Sequence, residues 1–244
     1  MKKKAIITGC AKGIGREIAL ELARDGYDII GTFNTSLYEI STLKEKIESI
    51  GVKFYSYKLD LLNENEINEF CNDIKINFNN IDVLVNNAAL SLDSNFIDKT
   101  TDEFRKVLQV NLISPFLLIK NLSNTLANGV IINISSTDGI NTYTKLNMDY
   151  SASKAGLINL TKSLALELDN IRIYSLCPNW VNTESIKEMD QDYLKSEMDR
   201  IKQKELIDPK EVSRKVIQII ESNLKSGSVI VMEDKHEWFN GVNK

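Results

Sequence analysis

The sequence predicts a single α/β domain over residues 1–244, with a doubly wound, parallel, seven-stranded sheet and helices on both faces. Three observations carry this expectation. Short apolar runs alternate with longer amphipathic ones from end to end, the pattern of consecutive strand–helix–strand units. The run Ile81-Asp82-Val83-Leu84-Val85 is almost continuously apolar, as strands buried on both faces of a parallel sheet are. No Pro/Gly/Ser-rich linker, repeat or low-complexity tract divides the 244 residues, a length that one α/β domain commonly reaches.

Residues 4–8 read as the first strand and 13–25 as the first helix, which Gly26 closes at the C′ position. A strand at 28–33 and a helix at 37–50, closed by Gly51, come next. A third strand at 53–59 precedes a helix at 64–77, and the apolar run makes a strand at 81–86. A long helix is expected over 101–126, ahead of a fifth strand at 130–135. Pro115 lies inside that helix, where it removes the bond to the carbonyl of Asn111 and clashes with it, so a kink is expected. A helix at 148–169, a strand at 171–176, two polar helices near 183–205 and 209–223, and a strand at 228–232 complete the pattern.

Composition excludes several classes of function. A net charge of -4 gives no electrostatic footprint for nucleic acid. The basic run Lys2-Lys3-Lys4 is followed by Ala5-Ile6-Ile7 and then Thr-Gly, far short of a signal-peptide core, so a cytoplasmic protein is expected. No apolar stretch approaches the ~20 residues of a membrane span. Cys10, Cys71 and Cys177 are odd in number and widely spaced, which argues for reduced thiols rather than a disulfide or metal framework.

Two motifs carry chemistry. Directly after the first strand stands Thr8-Gly9-Cys10-Ala11-Lys12-Gly13-Ile14-Gly15. Glycines there let the backbone turn sharply and approach a ligand, and the following helix N-terminus favours a pyrophosphate. Three residues separate the first two glycines, unlike the Gly-x-Gly-x-x-Gly spacing. The second motif is Tyr150-Ser151-Ala152-Ser153-Lys154 at the start of a helical pattern. Residues i and i+4 share one helix face, so phenol and ammonium can reach a common point. A free tyrosine ionises near pH ~10, and a nearby cation lowers that value. Such a pair can exchange a proton with an alcohol oxygen.

These motifs, in order, resemble the short-chain dehydrogenase/reductases, a family of Rossmann-type fold. The pattern is most similar to the branch of 3-oxoacyl-acyl-carrier-protein reductases and related ketoreductases. The resemblance spans essentially the whole chain. It rests on Thr8 to Gly15, Asp60, Asn86-Asn87-Ala88-Ala89, Asn111, Ile134-Ser135-Ser136, Tyr150 to Gly156, and Cys177-Pro178-Asn179-Trp180-Val181-Asn182-Thr183.

The resemblance implies an oxidoreductase using a nicotinamide dinucleotide on a small carbonyl or secondary-alcohol substrate. Tyr150 is then the general acid/base, with Lys154 lowering its pKa and binding the nicotinamide ribose. Ser136 is the donor to the substrate oxygen. Ser135 adjoins it as a rival, and the spacing to Gly139 favours Ser136. Asn111 completes the catalytic four, its freed carbonyl linked through water to Lys154. Thr8, Gly9, Gly13, Ile14 and Gly15 form the phosphate turn. Asp60 and Leu61 meet the adenine, Asn87 and Ala88 lie beneath the ribose, and Pro178, Val181 and Thr183 meet the nicotinamide.

NADP(H) is expected over NAD(H). The end of the second strand, Gly31-Thr32-Phe33-Asn34-Thr35-Ser36, holds no carboxylate to repel a 2′-phosphate, and Lys12 matches the basic residue placed near it. Two departures are Ala89 and Asn179, where relatives have glycine; a positive φ at Ala89 costs ~1–2 kcal/mol. Residues 183–223 are expected to cover the substrate, with Met189, Tyr193, Leu194 and Met198 as pocket candidates. A homotetramer or homodimer built on the helices at 101–126 and 148–169 is implied. The tail departs most, with Val231-Met232-Glu233-Asp234 in place of Asp-Gly-Gly and with Trp238 and Phe239 free to serve an interface or the pocket. His236 reads as a surface residue. A non-catalytic dinucleotide-binding protein is the rival class, because fold alone never establishes turnover.

Overall fold

A computed structural model of the chain describes residues 2–126 and 128–233; His236, Trp238 and Phe239 lie outside them. Seven strands form one sheet: β1 (Lys4–Ile7), β2 (Asp28–Phe33), β3 (Phe54–Lys58), β4 (Val83–Asn86), β5 (Val130–Ile134), β6 (Arg172–Pro178) and β7 (Val229–Met232). Their order is β3-β2-β1-β4-β5-β6-β7, and each pairing is parallel. The order reverses between β1 and β4, and the crevice at such a reversal is where open α/β sheets bind ligands. Ile7 pairs with Val85 at that point, so the loops leaving β1 and β4 start side by side.

Successive strand residues point to opposite faces, and the core divides accordingly. Ile7, Ile29, Val85 and Ile132 face one layer, made by α1 (Gly13–Arg24), α2 (Leu37–Ser49) and, further along the chain, Val212, Val216 and Ile219. Ile6, Ile30, Leu84 and Ile131 face the other, where α3 (Glu64–Asn77) supplies Ile67, Phe70 and Ile74. Side-chain caps set helix starts: Asn63 accepts from the N–H groups of Asn65 and Glu66 at the head of α3.

The long helix expected over 101–126 is three segments. α4 (Thr101–Leu108) opens on a Thr100/Glu103 capping box, a π-helical turn occupies Gln109–Ile113, and α5 (Ser114–Leu122) follows. The Ser114 N–H reaches back five residues to the Gln109 carbonyl. This extra residue in the turn places Pro115 in the first turn of α5, where a missing N–H is tolerated. The expected kink is thus resolved as a change of helical register.

α6 (Met148–Glu167) carries the Tyr150 motif. The first polar helix expected near 183–205 splits into α7 (Glu184–Lys187) and α8 (Gln191–Arg200), because Asp190 caps a new start by accepting from the Tyr193 N–H. α9 (Pro209–Glu221) packs its buried Val212, Val216 and Ile219 into the core beside α1, so it is part of the sheet's own helical layer. No helix among the described residues is long and apolar enough to cross a membrane.

Candidate active site

A cavity of about 930 Å³ runs from the glycine turn after β1 to Tyr150 on α6. That volume suits a large ligand rather than a single small molecule. At one end Gly9, Lys12, Gly13 and Ile14 meet Asn34, Asp60, Leu61, Asn87 and Ala88. At the other Ser136, Tyr150 and Lys154 meet Pro178, Val181 and Thr183.

The glycine end is braced by backbone groups. Thr8 is buried, and its hydroxyl oxygen accepts from the N–H groups of both Asn87 and Ala88, at 3.0 Å each. Asn87 in turn donates to the carbonyls of Thr8 and Gly9. Gly13 has φ +54, the left-handed region, and a Cβ there would lie 3.2 Å from Thr183 Cγ2. The first N–H groups of α1 have no acceptor within the helix and face this turn, a donor set that suits a phosphate. The cradle of the turn fits a dinucleotide for that reason.

Two carboxylates already address this end. Glu184 Oε2 accepts from the Gly13 N–H at 3.2 Å. Lys12 pairs with Glu39 at 3.0 Å, and that carboxylate holds the ammonium above its usual pKa. Arg16 explains the second contact, since it donates to the backbone carbonyl of Glu39 and to the Thr42 hydroxyl and so ties α2 to α1. The strand end holds no carboxylate, as expected, but α2 brings one to the same lysine.

The Tyr150 end is built from side chains. Lys154 is 2% exposed; its Nζ donates to the Ile134 carbonyl at 2.8 Å and sits 5.3 Å from the centre of the Tyr150 ring. Burial lowers the Lys154 pKa from 10.5 to about 8. Burial also pushes Tyr150 upward, the Asp138 carboxylate adds to the rise, and a hydrogen bond with Ser136 opposes it. The expectation that Lys154 lowers the Tyr150 pKa is therefore not met in this state. Desolvation is the largest influence, and the phenol keeps its proton.

The two serines take different partners. Both border the cavity, but the Ser135 hydroxyl donates to the Lys154 carbonyl at 2.9 Å, whereas Ser136 hydrogen-bonds with Tyr150 and accepts from the Asp138 N–H. Gly139 gives the spacing its physical reason, since a Cβ on it would lie 2.6 Å from the Ala155 nitrogen. Only a glycine lets this turn press onto α6. Asn111 is fully buried and does not line the cavity. Its side chain exchanges hydrogen bonds with the Leu90 backbone and donates to Ser153, so it ties the loop after β4 to α6. A second tie is the buried ion pair of Lys99 and Asp149, 3.0 Å apart, with Lys99 also donating to the Leu92 carbonyl.

The model of the family described as short chain dehydrogenase matches residues 3–194. The chain belongs to that family. It is 34% identical over 238 residues to the 3-oxoacyl-[acyl-carrier-protein] reductase of Buchnera aphidicola subsp. Baizongia pistaciae, covering 94% of this chain and 95% of the relative. It is 32% identical to the reductase of the same name from Aquifex aeolicus over 220 residues, covering 88% of each. A dehydrogenase/reductase from Sinorhizobium meliloti superposes with a TM-score of 0.88 at 26% identity, covering 94% of this chain and 93% of that one. A short chain dehydrogenase from Burkholderia cenocepacia, solved in complex with NADP, gives 0.86 at 24% identity over 95% and 96%. The protein is thus an oxidoreductase of the short chain dehydrogenase family with a Rossmann-like fold.

Among the residues anticipated from sequence in this dehydrogenase, Thr8, Gly15 and Asn111 stand behind the cavity wall rather than in it. A Cβ on Gly15 would lie 2.4 Å from Asn87 Nδ2, so that glycine serves packing. Of the pocket candidates only Met189 borders the cavity; Tyr193, Leu194 and Met198 do not. Ala89 and Asn179 both border it without a positive φ, so neither departure strains the backbone. All three cysteines are buried and free, and burial raises Cys10 to about 12. Among the described residues no cluster of three or more His, Cys, Asp or Glu side chains is placed to hold a metal ion. Sequence reading missed Asp138, Asp93, Asn147 and Glu184 on the cavity wall. Only Asp138 had a local signal, two residues after Ser136.

Proposed function

We propose that this dehydrogenase is an NADP(H)-dependent carbonyl reductase, reversible as an alcohol dehydrogenase, with Tyr150 as general acid/base. The observation that carries the reading is one cavity joining the glycine turn to Tyr150, Lys154 and Ser136. A bound reduced nicotinamide supplies the hydride. Ser136 and Tyr150 hold the substrate oxygen between two hydroxyl groups, and Tyr150 gives it a proton as negative charge develops. Burial keeps that proton on Tyr150 until the oxygen demands it. The Lys154 ammonium, pinned by Ile134, offers its remaining hydrogens to ribose hydroxyls and steadies the developing phenolate. Asn111 acts as a positioning residue through Leu90 and Ser153.

NADP(H) preference rests on Lys12 and on Asn34 at the end of β2, both on the cavity wall. The second reading, NAD(H), is favoured by Glu39, which engages the same lysine. Within 183–223, the substrate-covering role falls to Ser185, Ile186 and Met189, since Thr183 and Glu184 lean on the glycine turn. A dimer or tetramer fits the exposed Phe116 on α5 and Leu166 on α6. The test follows dinucleotide absorbance with thioester, ketone, aldehyde and sugar substrates. Wild type turns over a carbonyl compound, and Tyr150→Phe binds the dinucleotide unchanged but turns over at least about 100-fold slower. Dinucleotide binding without turnover of any carbonyl compound overturns the reading.

A further inference from the structure

The wall of the cavity beside Ser136 and Tyr150 holds a carboxylate that feels the Arg200 and Lys154 charges but is in direct contact with neither. Asp138 borders the cavity with both of them. Its Oδ1 lies 2.7 Å from the Thr142 hydroxyl, and its own N–H donates to Ser136 Oγ. Among the described residues no group donates to Oδ2, and no cation lies within ion-pairing distance of either oxygen.

The nearby charged groups are already engaged elsewhere. Arg200 on α8 donates three times to Glu197, the shortest contact being 2.6 Å, and once to the Thr142 carbonyl. Lys154 on α6 is held by Ile134. Tyr193 on α8 lies near enough to feel the charge of Asp138, Asp93 and Glu197 but makes no hydrogen bond to Asp138 through its side chain. Arg200 holds the Thr142 backbone and the Thr142 hydroxyl donates to Oδ1, so these contacts orient the carboxylate on the cavity wall.

The Asp138 side chain is partly buried, so water can reach its second oxygen in the open cavity; a ligand that covers this oxygen strips that water, and one that brings a donor replaces the lost bond. An apolar group placed there leaves the oxygen desolvated and unpaired. We propose that Asp138 selects substrates carrying a hydrogen-bond donor, a hydroxyl or an ammonium, close to the reacting carbonyl. The neighbouring wall is polar in the same sense, with Asn147 donating to Ser91 and Asp93, all three on the cavity surface. This selection rests on the carbonyl reductase reading and names its substrate class: polar-substituted ketones or aldehydes, not carbonyls flanked by apolar chain.

The test uses an isosteric series, butanone, hydroxyacetone and aminoacetone, with an acetoacetyl thioester as the apolar competitor. Wild type reduces hydroxyacetone or aminoacetone with a kcat/KM at least about tenfold above butanone, one hydrogen-bonded contact to a charged group being worth that much. A larger gain for aminoacetone than for hydroxyacetone identifies charge pairing; equal gains identify hydrogen bonding alone. Asp138→Leu abolishes the preference, chiefly through KM for the polar members. Asp138→Asn, which retains an acceptor for Thr142 and so the fold, keeps the hydroxyl preference and loses the ammonium one. Equal kcat/KM across the series, a preference surviving in Asp138→Leu, or the acetoacetyl thioester as the best substrate overturns the selection and leaves the reductase reading standing. Dinucleotide binding with no turnover of any carbonyl compound overturns both.

Discussion

The two ends of the cavity are built from different materials. At the glycine turn the donors are backbone N–H groups in a turn braced by Thr8 and Asn87, beside the exposed Lys12. At Tyr150 the working groups are side chains, and Lys154 and Ser136 are nearly enclosed. The open end is therefore governed by which carboxylates lean on it, Glu39 and Glu184. The enclosed end is governed by desolvation, which holds Tyr150 protonated and weakens the Lys154 ammonium. Exposed charges adjust affinity by small factors, whereas buried ones decide protonation.

The contrast is open to direct attack, beginning at the enclosed end. Lys154→Met is expected to lower kcat by at least about 100-fold. The same change should raise Tm by about 2–4 °C at pH 7, the shift that about 1 kcal/mol produces in a chain of this size. A fall in Tm in a thermal melt would show that the bond to Ile134 outweighs the desolvation of the ammonium. Because the folded pKa of about 8 lies below the ordinary 10.5, the unfolded chain binds the extra proton between those values. Wild-type stability from this group accordingly rises with pH across that window and is lost as pH falls through about 8.

Activity carries the same signature with opposite sense. The kcat/KM for reduction should decline about tenfold per unit above pH about 8, as Lys154 loses its charge while Tyr150 keeps its proton. A profile flat to pH 10 would place the ammonium outside the reaction. At the open end the effects shrink. Glu184→Ala frees the Gly13 N–H, and dinucleotide Kd by fluorescence titration should tighten by about fivefold. An unchanged Kd would mean the carboxylate withdraws at no cost. Glu39→Gln should raise the NADPH over NADH ratio of kcat/KM by about threefold, the modest scale of an exposed ion pair. A ratio that falls instead would show that Glu39 orients Lys12 rather than competing for it.

What the sequence made legible follows the same division. The glycine turn and the Tyr150–Lys154 spacing are local patterns, so period and spacing were enough to find them. Seven strands were readable because each apolar run sits between turn residues. Partners brought together by tertiary packing were not readable. Glu39 reaches Lys12 only because Arg16 docks α2, and Glu184 reaches Gly13 only because the chain returns to the turn after β6. The upward push of burial on Tyr150 was not readable for a related reason: spacing reveals a neighbouring cation but not the loss of water around both groups. The long helix was misjudged because Pro115 had two outlets, a kink or a π turn, and only the surrounding packing chooses.

The Lys99–Asp149 pair sets a condition on remodelling this enzyme. Asp149 immediately precedes Tyr150, and its cation comes from the distant loop that also supplies Ser91 and Asp93 to the cavity wall. A transplanted loop without that lysine strands a carboxylate in a dry interior, a loss of about 3–5 kcal/mol where one member of a buried pair is removed. This loop and the helix bearing Tyr150 are thus inherited as one unit, and new specificities must be sought among sequences that keep both.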